Sequence, residues 1–209
     1  MKLGEIKIQA LALMYPDAPI RYNNSTDEEI ENAVYELKSS HNFEYLIEAS
    51  VSAINRAFSI IESYGLSNIK CVDKAKSLLE KTEKGIAIDL EKDFVTLERV
   101  LCHKNGKAYA VSYLQIGNRI YTDFKGDVYT VVYRAKIPRA TTITRDSCEV
   151  DLPMGLCEAI PYFVMAELIA REDTDRSREA REQFYRALEN CEKKSAPCHQ
   201  CFQIIYSME

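Results

Sequence analysis

The residues with the spacing of a metal or thiol centre are Cys198-x-x-Cys201, with His199 between them and Cys191 seven positions before. Structural zinc wants four ligands in a tetrahedron, usually from two such pairs. One pair stands here, and the adjacent Cys102 and His103 are badly spaced to supply another. A thiol–disulfide centre would instead need its first cysteine at a helix N-terminus, where the helix field stabilises the thiolate. The stretch after Cys198 is short for such a helix, so the bland reading is a set of incidental tail cysteines. The sharper alternative is a zinc- or thiol-dependent protein that uses Cys191, Cys198 and Cys201.

General acid–base chemistry has little to draw on. There are three histidines (His41, His103, His199), and the nearest carboxylate couple is Asp89 with Asp93. A nucleophile elbow, a P-loop, a dinucleotide-binding glycine run and His-Glu-x-x-His do not occur. The expectation is a chain with no catalytic residue and no cofactor. The stretch 171–186 reads as basic at first sight, yet its five arginines face five carboxylates. Such a face is usually solvated and laced by pairs four residues apart, here Arg178 with Glu182 and Glu182 with Arg186, each worth ~0.3 kcal/mol. The functional alternative is a rim of complementary charge between identical subunits, carried by Arg176, Arg178, Glu179, Glu182 and Arg186.

Three stretches of chain must position these groups. In the first, Leu3, Ile6, Ala10, Leu13 and Met14 recur at the helical period until Pro16. Thr26 with Glu29 forms a capping-box signature ahead of Ile30, Ala33, Val34 and Leu37. A longer helix follows, with Phe43, Leu46, Ile47, Ile54, Ala57, Phe58 and Ile61 on one face and Gly65 as a left-handed stop. Its second flank, Ala49, Ala53 and Ile60, predicts contact on two sides and makes these residues candidates for a subunit interface.

From about Val72 the period changes to two. Asn105-Gly106 between strand-like runs is a hairpin signal, because both positions accept φ > 0. Gly117-Asn118 and Gly126-Asp127 punctuate the next runs. Strands are expected at 86–90, 95–102, 108–114, 119–121 and 128–133, pairing as an antiparallel meander or partial barrel. Their tyrosines (Tyr109, Tyr113, Tyr121, Tyr129, Tyr133) read either as a ligand- or partner-binding sheet face or, more ordinarily, as core and cross-strand pairs.

After Pro153 the helical period returns. Residues 161–170 are apolar almost all round, which implies a helix buried within the helical part, with Pro161 in its first turn. Thr174 or Asp175 caps a last helix that turns Ala180, Phe184, Ala187, Leu188 and Cys191 inward. The tail alternates Phe202, Ile204 and Tyr206, a short strand wanting a partner. The predicted fold class is α+β: a helical bundle core from 1–72 and 153–192, an inserted β module at 73–152 and a tail at 193–209.

Composition sets the outer bounds. The 209 residues are 46 % hydrophobic and 28 % charged, enough for a real core and too balanced for disorder. No apolar run approaches ~18 residues and no signal-peptide h-region opens the chain, so neither membrane nor secretion is expected. Seven cysteines at irregular spacing suit a reducing compartment and mostly buried thiols. The net charge of −5 predicts that the molecule as a whole repels a polyanion.

Two segments carry a resemblance. Lys2-Leu3-Gly4-Glu5-Ile6 with the helix it opens, and Ile160-Pro161-Tyr162-Phe163-Val164-Met165-Ala166-Glu167-Leu168 with Glu172-Asp173 and Phe184-Tyr185 behind it, resemble tailed-bacteriophage head-to-tail adaptor (connector) proteins. The likeness covers the helical parts at both ends, about half the chain. It implies a structural protein of the virion head–tail junction, assembled in the bacterial host cytoplasm. It further implies a homo-oligomeric ring, dodecameric in this family, that meets the portal on one side and a tail or stopper protein on the other while DNA passes through non-specifically. A rotationally repeated contact needs two unlike faces per subunit, which the third helix and the charged last helix could supply. The tail strand (Phe202, Ile204, Tyr206) would then add to a sheet edge on a neighbour or the portal, or else complete the chain's own β module.

Overall fold

The computed structural model describes residues 1–17, 20, 26–39 and 43–195. The fold is α+β, and the described chain divides into a helical unit, 1–66 with 137–195, and a β unit, 67–136.

The helical unit contains α1 (Leu3–Met14), α2 (Asp27–Ser39), α3 (Glu44–Ser63), the short α4 (Met154–Cys157), α5 (Ile160–Ile169) and α6 (Thr174–Ser195). Its ends follow local chemistry. The Thr26–Glu29 capping box forms in both directions: Glu29 N–H donates to the Thr26 hydroxyl at 3.3 Å and Thr26 N–H donates to the Glu29 carboxylate at 2.7 Å. Gly65, at φ +65°, closes α3 with the paired bonds Leu66 N–H to Ile61 O and Gly65 N–H to Glu62 O. Pro161 lies in the first turn of α5. The cap of α6 is Asp173, whose carboxylate accepts the Arg176 N–H at 3.0 Å, one residue before the expected Thr174 or Asp175.

Helix α5 is apolar all round because it is buried all round. Ile160, Phe163 and Val164 join Leu3, Ile6, Ile54, Phe58, Phe184 and Leu188 in one apolar cluster. Met165, Ala166 and Ile169 join Ile8, Leu11, Val34, Ile47 and Ala180 in another. Helix α1 contributes to both clusters, so it is covered on more than the single predicted stripe; Ile8 and Leu11 are as buried as Ile6.

The β unit holds two four-stranded antiparallel sheets rather than a meander or partial barrel. One runs β1 (Ile69–Ala75), β8 (Val128–Ala135), β4 (Phe94–Lys104), β5 (Lys107–Ala110); the other runs β2 (Glu80–Thr82), β3 (Gly85–Asp89), β7 (Arg119–Thr122), β6 (Leu114–Ile116). Only β2–β3, β4–β5 and β6–β7 are joined as sequence neighbours; β1 with β8, β4 with β8 and β3 with β7 pair across long stretches. The sheets share one apolar cluster that includes Ile88, Val100, Ile120, Tyr129, Val131 and Tyr133. The Asn105-Gly106 turn forms as read, with φ +52° and +74° between the paired Lys104 and Lys107. The expected run 108–114 is split, because strand geometry stops at Ala110 and resumes at Leu114.

The boundaries differ from those read in the sequence. Strand β1 begins at Ile69, and Lys70, Asp73 and Lys74 disguise it by interrupting the apolar alternation. Residues 137–152, expected in the insert, form no strand and belong to the helical unit.

Candidate functional site

The segment 137–152 lies across three helices and is fixed by side chains and by backbone bonds to residues 1–4, among them Gly4 N–H to Asp146 O at 2.8 Å and Leu3 N–H to Cys148 O at 2.9 Å. The Asn55 amide clamps the Ala140 backbone in both directions, at 2.7 and 2.9 Å. Glu62 accepts the Ile137 N–H at 2.7 Å and the Arg139 guanidinium at 2.5 Å. Glu31 accepts both the backbone N–H and the hydroxyl of Ser147, at 2.9 and 2.8 Å. Burial acts to raise the Glu31 pKa, but these bonds to the ionised form prevail and hold it below the ordinary carboxylate value. Lys7 of α1 meets Asp146 at 2.6 Å, with side chains only 3 % and 9 % exposed. Gly4 lets the two backbones approach: a Cβ there would fall 2.5 Å from Ile30 and 3.0 Å from Asp146. The segment thereby walls a mostly apolar cavity of about 230 Å³ with Leu3, Phe58, Ile137 and Val150. It also borders an open groove of about 550 Å³ along α3, with Ser52, Asn55, Arg56, Arg139 and Thr141 on its walls.

The charged face of α6 is used within the chain more than its sequence implies. The Arg176 guanidinium donates to the carbonyls of Leu13 and Met14 at 3.0 and 3.3 Å and so caps the C-terminus of α1. Arg178 pairs with Asp175 at 2.9 Å rather than with Glu182, whereas the expected Glu182–Arg186 pair forms at 3.4 Å. Glu179, Glu182 and Arg186 are exposed. Glu167 of α5 receives two guanidiniums, Arg56 from α3 and Arg181 from α6, each at 2.6 Å. Of the second flank of α3, Ala53 is 4 % exposed within the core, Ile60 packs against that core and Ala49 is half-buried. Ala53 is therefore no surface residue: the two-sided contact is made inside the unit, by α5 and by the 137–152 segment.

Cys191 of α6 is half-buried, with its sulfur 4.0 Å from where a Cβ on Gly155 would stand. Cys198, Cys201, Phe202, Ile204 and Tyr206 lie outside the described residues, as do His41 and His199. Among the described residues no three of His, Cys, Asp and Glu group to hold a metal ion. The thiols are less buried than expected: Cys102 and Cys157 are interior, and burial raises the pKa of both, but Cys71 and Cys148 are exposed.

In the β unit, Tyr129 and Tyr133 are core residues whose hydroxyls are satisfied, Tyr129 donating to the Phe124 carbonyl at 2.6 Å and Tyr133 to Asp93 at 2.9 Å. Burial, then the neighbouring Asp93, pushes the Tyr133 pKa up to about 12. The Lys70 ammonium, aided by Tyr133, draws Asp93 below its ordinary value against the cost of burial. Asp89 pairs with Arg119 at 2.6 Å, so Asp89 and Asp93 serve separate contacts. His103 sits 2.7 Å from the Thr130 hydroxyl, which donates to Asp73 at 2.5 Å. With its proton committed to the Asp73 carboxylate, the threonine oxygen accepts from the imidazole N–H.

Charge divides between the units in a way the total of −5 conceals. Residues 67–136 carry thirteen Lys and Arg against nine Asp and Glu, a net of +4, so the rest of the chain carries −9. Repulsion of polyanions is thus a property of one part of the sequence and not of the other. Among the described residues no helix is long and apolar enough to cross a membrane. In comparisons with protein-family models and with curated proteins, the chain matches none.

Proposed function

We propose that this chain is a structural subunit of a tailed-phage or prophage head-to-tail adaptor: a ring, dodecameric by analogy, between the portal and a tail or stopper protein, through which DNA passes. In this reading the helices form the bundle core of the adaptor and the β unit is its insert. The observation that carries the reading is the placement of the two segments that resemble the family. Residues 2–6 open α1 and residues 160–168 form α5, and these helices pack on one another although some 150 residues separate them. Opposite charge in the two units adds support, because a head-to-tail contact repeated by rotation joins unlike surfaces. The exposed end of the α6 rim, Glu179, Glu182 and Arg186, remains available to such a contact.

The test uses the full chain with the portal ring of the same particle, imaged by electron microscopy, together with mass spectrometry of purified particles. The reading requires a ring of subunits seated on the portal and the chain present in the particles. A chain absent from particles that also leaves the portal bare would overturn it, whereas a monomer in isolation would not, since a portal can template assembly.

A further inference from the structure

The two sheets of the β unit end in four edge strands: β1 and β5 on one, β2 and β6 on the other. Unpaired backbone groups on such edges invite another strand, and charged side chains are the usual deterrent. Three of the edges carry charge: Lys70, Asp73 and Lys74 on β1, Glu80 and Lys81 on β2, and Lys107 on β5. The fourth, Leu114-Gln115-Ile116, carries none. Leu114 is 54 % exposed and Ile116 44 %, and strand alternation puts both on the same face. One side of β6 is occupied by β7, in the register Leu114↔Tyr121, Gln115↔Ile120, Ile116↔Arg119. Ile116 and Arg119 flank a two-residue turn and so form its hydrogen-bonded closing pair, which turns the N–H and C=O of Gln115 toward the open side. Among the described residues nothing meets them there.

The chain continues for fourteen residues beyond Ser195. From 196 to 208 it contains no Lys, Arg, Asp or Glu, and at 202–206 it alternates Phe202, Ile204 and Tyr206 with Gln203 and Ile205. An uncharged segment of strand pattern thus accompanies an uncharged apolar edge. We propose that residues 201–206 of the chain's own C-terminal segment add to β6 as a further strand, laying Phe202, Ile204 and Tyr206 over Leu114 and Ile116. Six residues span about 20 Å as a strand, more than the three-residue edge requires. Covering it removes the apolar edge most open to unwanted pairing. The inference is independent of the adaptor reading.

Amide hydrogen exchange in the full-length chain, resolved by residue, tests it. Ile204→Asp puts a charge in the middle of the added strand. The Gln115 amide is expected to exchange about tenfold or more faster in Ile204→Asp than in the natural chain, while Ile120 and Val131 keep their rates and so report an intact unit. Ile116→Asp should in turn release the amides of 202–206. Equal Gln115 exchange in the natural chain and in Ile204→Asp would overturn the proposal. So would protection that ignores Ile204→Asp but vanishes on dilution, which would mean that two β6 edges pair between copies.

Discussion

In the helical unit side chains share the long-range joins with the backbone, whereas in the β unit the paired backbones of the strands make most of them. Residues 137–152 have no regular structure to satisfy their peptide groups, so Asn55 and Glu62 of α3 and Glu31 of α2 do part of it, the backbone of residues 1–4 does another part, and the Lys7–Asp146 pair adds a buried charge contact. Strand β8 needs no such help, because β1 and β4 pair with it on both sides. The difference teaches where each unit is vulnerable. One truncated side chain can orphan a buried partner in the helical unit, while the β unit is hurt chiefly through its shared core and close backbone approaches.

The largest expected effect is at Lys7. Lys7→Met leaves Asp146 buried without its counter-charge and should destabilise the helical unit by about 3–5 kcal/mol. Adding Asp146→Leu should recover most of that loss. Denaturant titration followed by helical circular dichroism measures both, and if the two units respond equally to Lys7→Met, the contrast between them fails.

Alkali should single out the β unit. Tyr133 has a folded-state pKa of about 12, above its ordinary 10.0, so its contribution is complete below pH 10 and is lost as the pH climbs from 10 toward 12. The loss should reach roughly 2–3 kcal/mol. Tyr133→Phe should flatten that part of the stability profile, as read by tyrosine absorbance and near-ultraviolet dichroism.

Next in size is Gly126→Ala. A Cβ at this position would stand 1.8 Å from the Cys102 sulfur and 2.9 Å from the His103 carbonyl oxygen. The overpacking should cost about 1–3 kcal/mol in the β unit alone. The smallest effect belongs to the surface of the helical unit, where Thr26→Ala removes the cap of α2 and should cost about 1 kcal/mol, visible as faster amide exchange in its first turn.

What the sequence made legible was local. Thr26 with Glu29, Gly65, Pro161 and Asn105-Gly106 each solve a backbone problem within a few residues, and each appears where its chemistry required. Lys7 shows why the rest was hidden. On a helical wheel it is an ordinary polar position, and the carboxylate that makes it interior lies 139 residues away. Strand β1 was masked in the same way, since its lysines and Asp73 pair with partners on other elements (Asp93, Glu91 and Thr130) and not with neighbours in sequence. Of the residues nominated on α3, Ala53 lies in the unit's own core, because an apolar second face signals burial without naming what buries it. The opposing charge of the two units was legible all along but was erased by summing over the whole chain.

The 137–152 segment also sets a timetable for biosynthesis. At roughly 5–20 residues per second, a ribosome makes Asp146 on the order of ten seconds or more after Lys7. From the time α3 clears the tunnel until residues 137–169 follow, α1, α2 and α3 lack α5 and the anchors that complete them. The β unit, by contrast, has its eight described strands once Ala135 emerges. A nascent chain stalled between these points would expose a half-built helical core, the natural substrate of a holding chaperone.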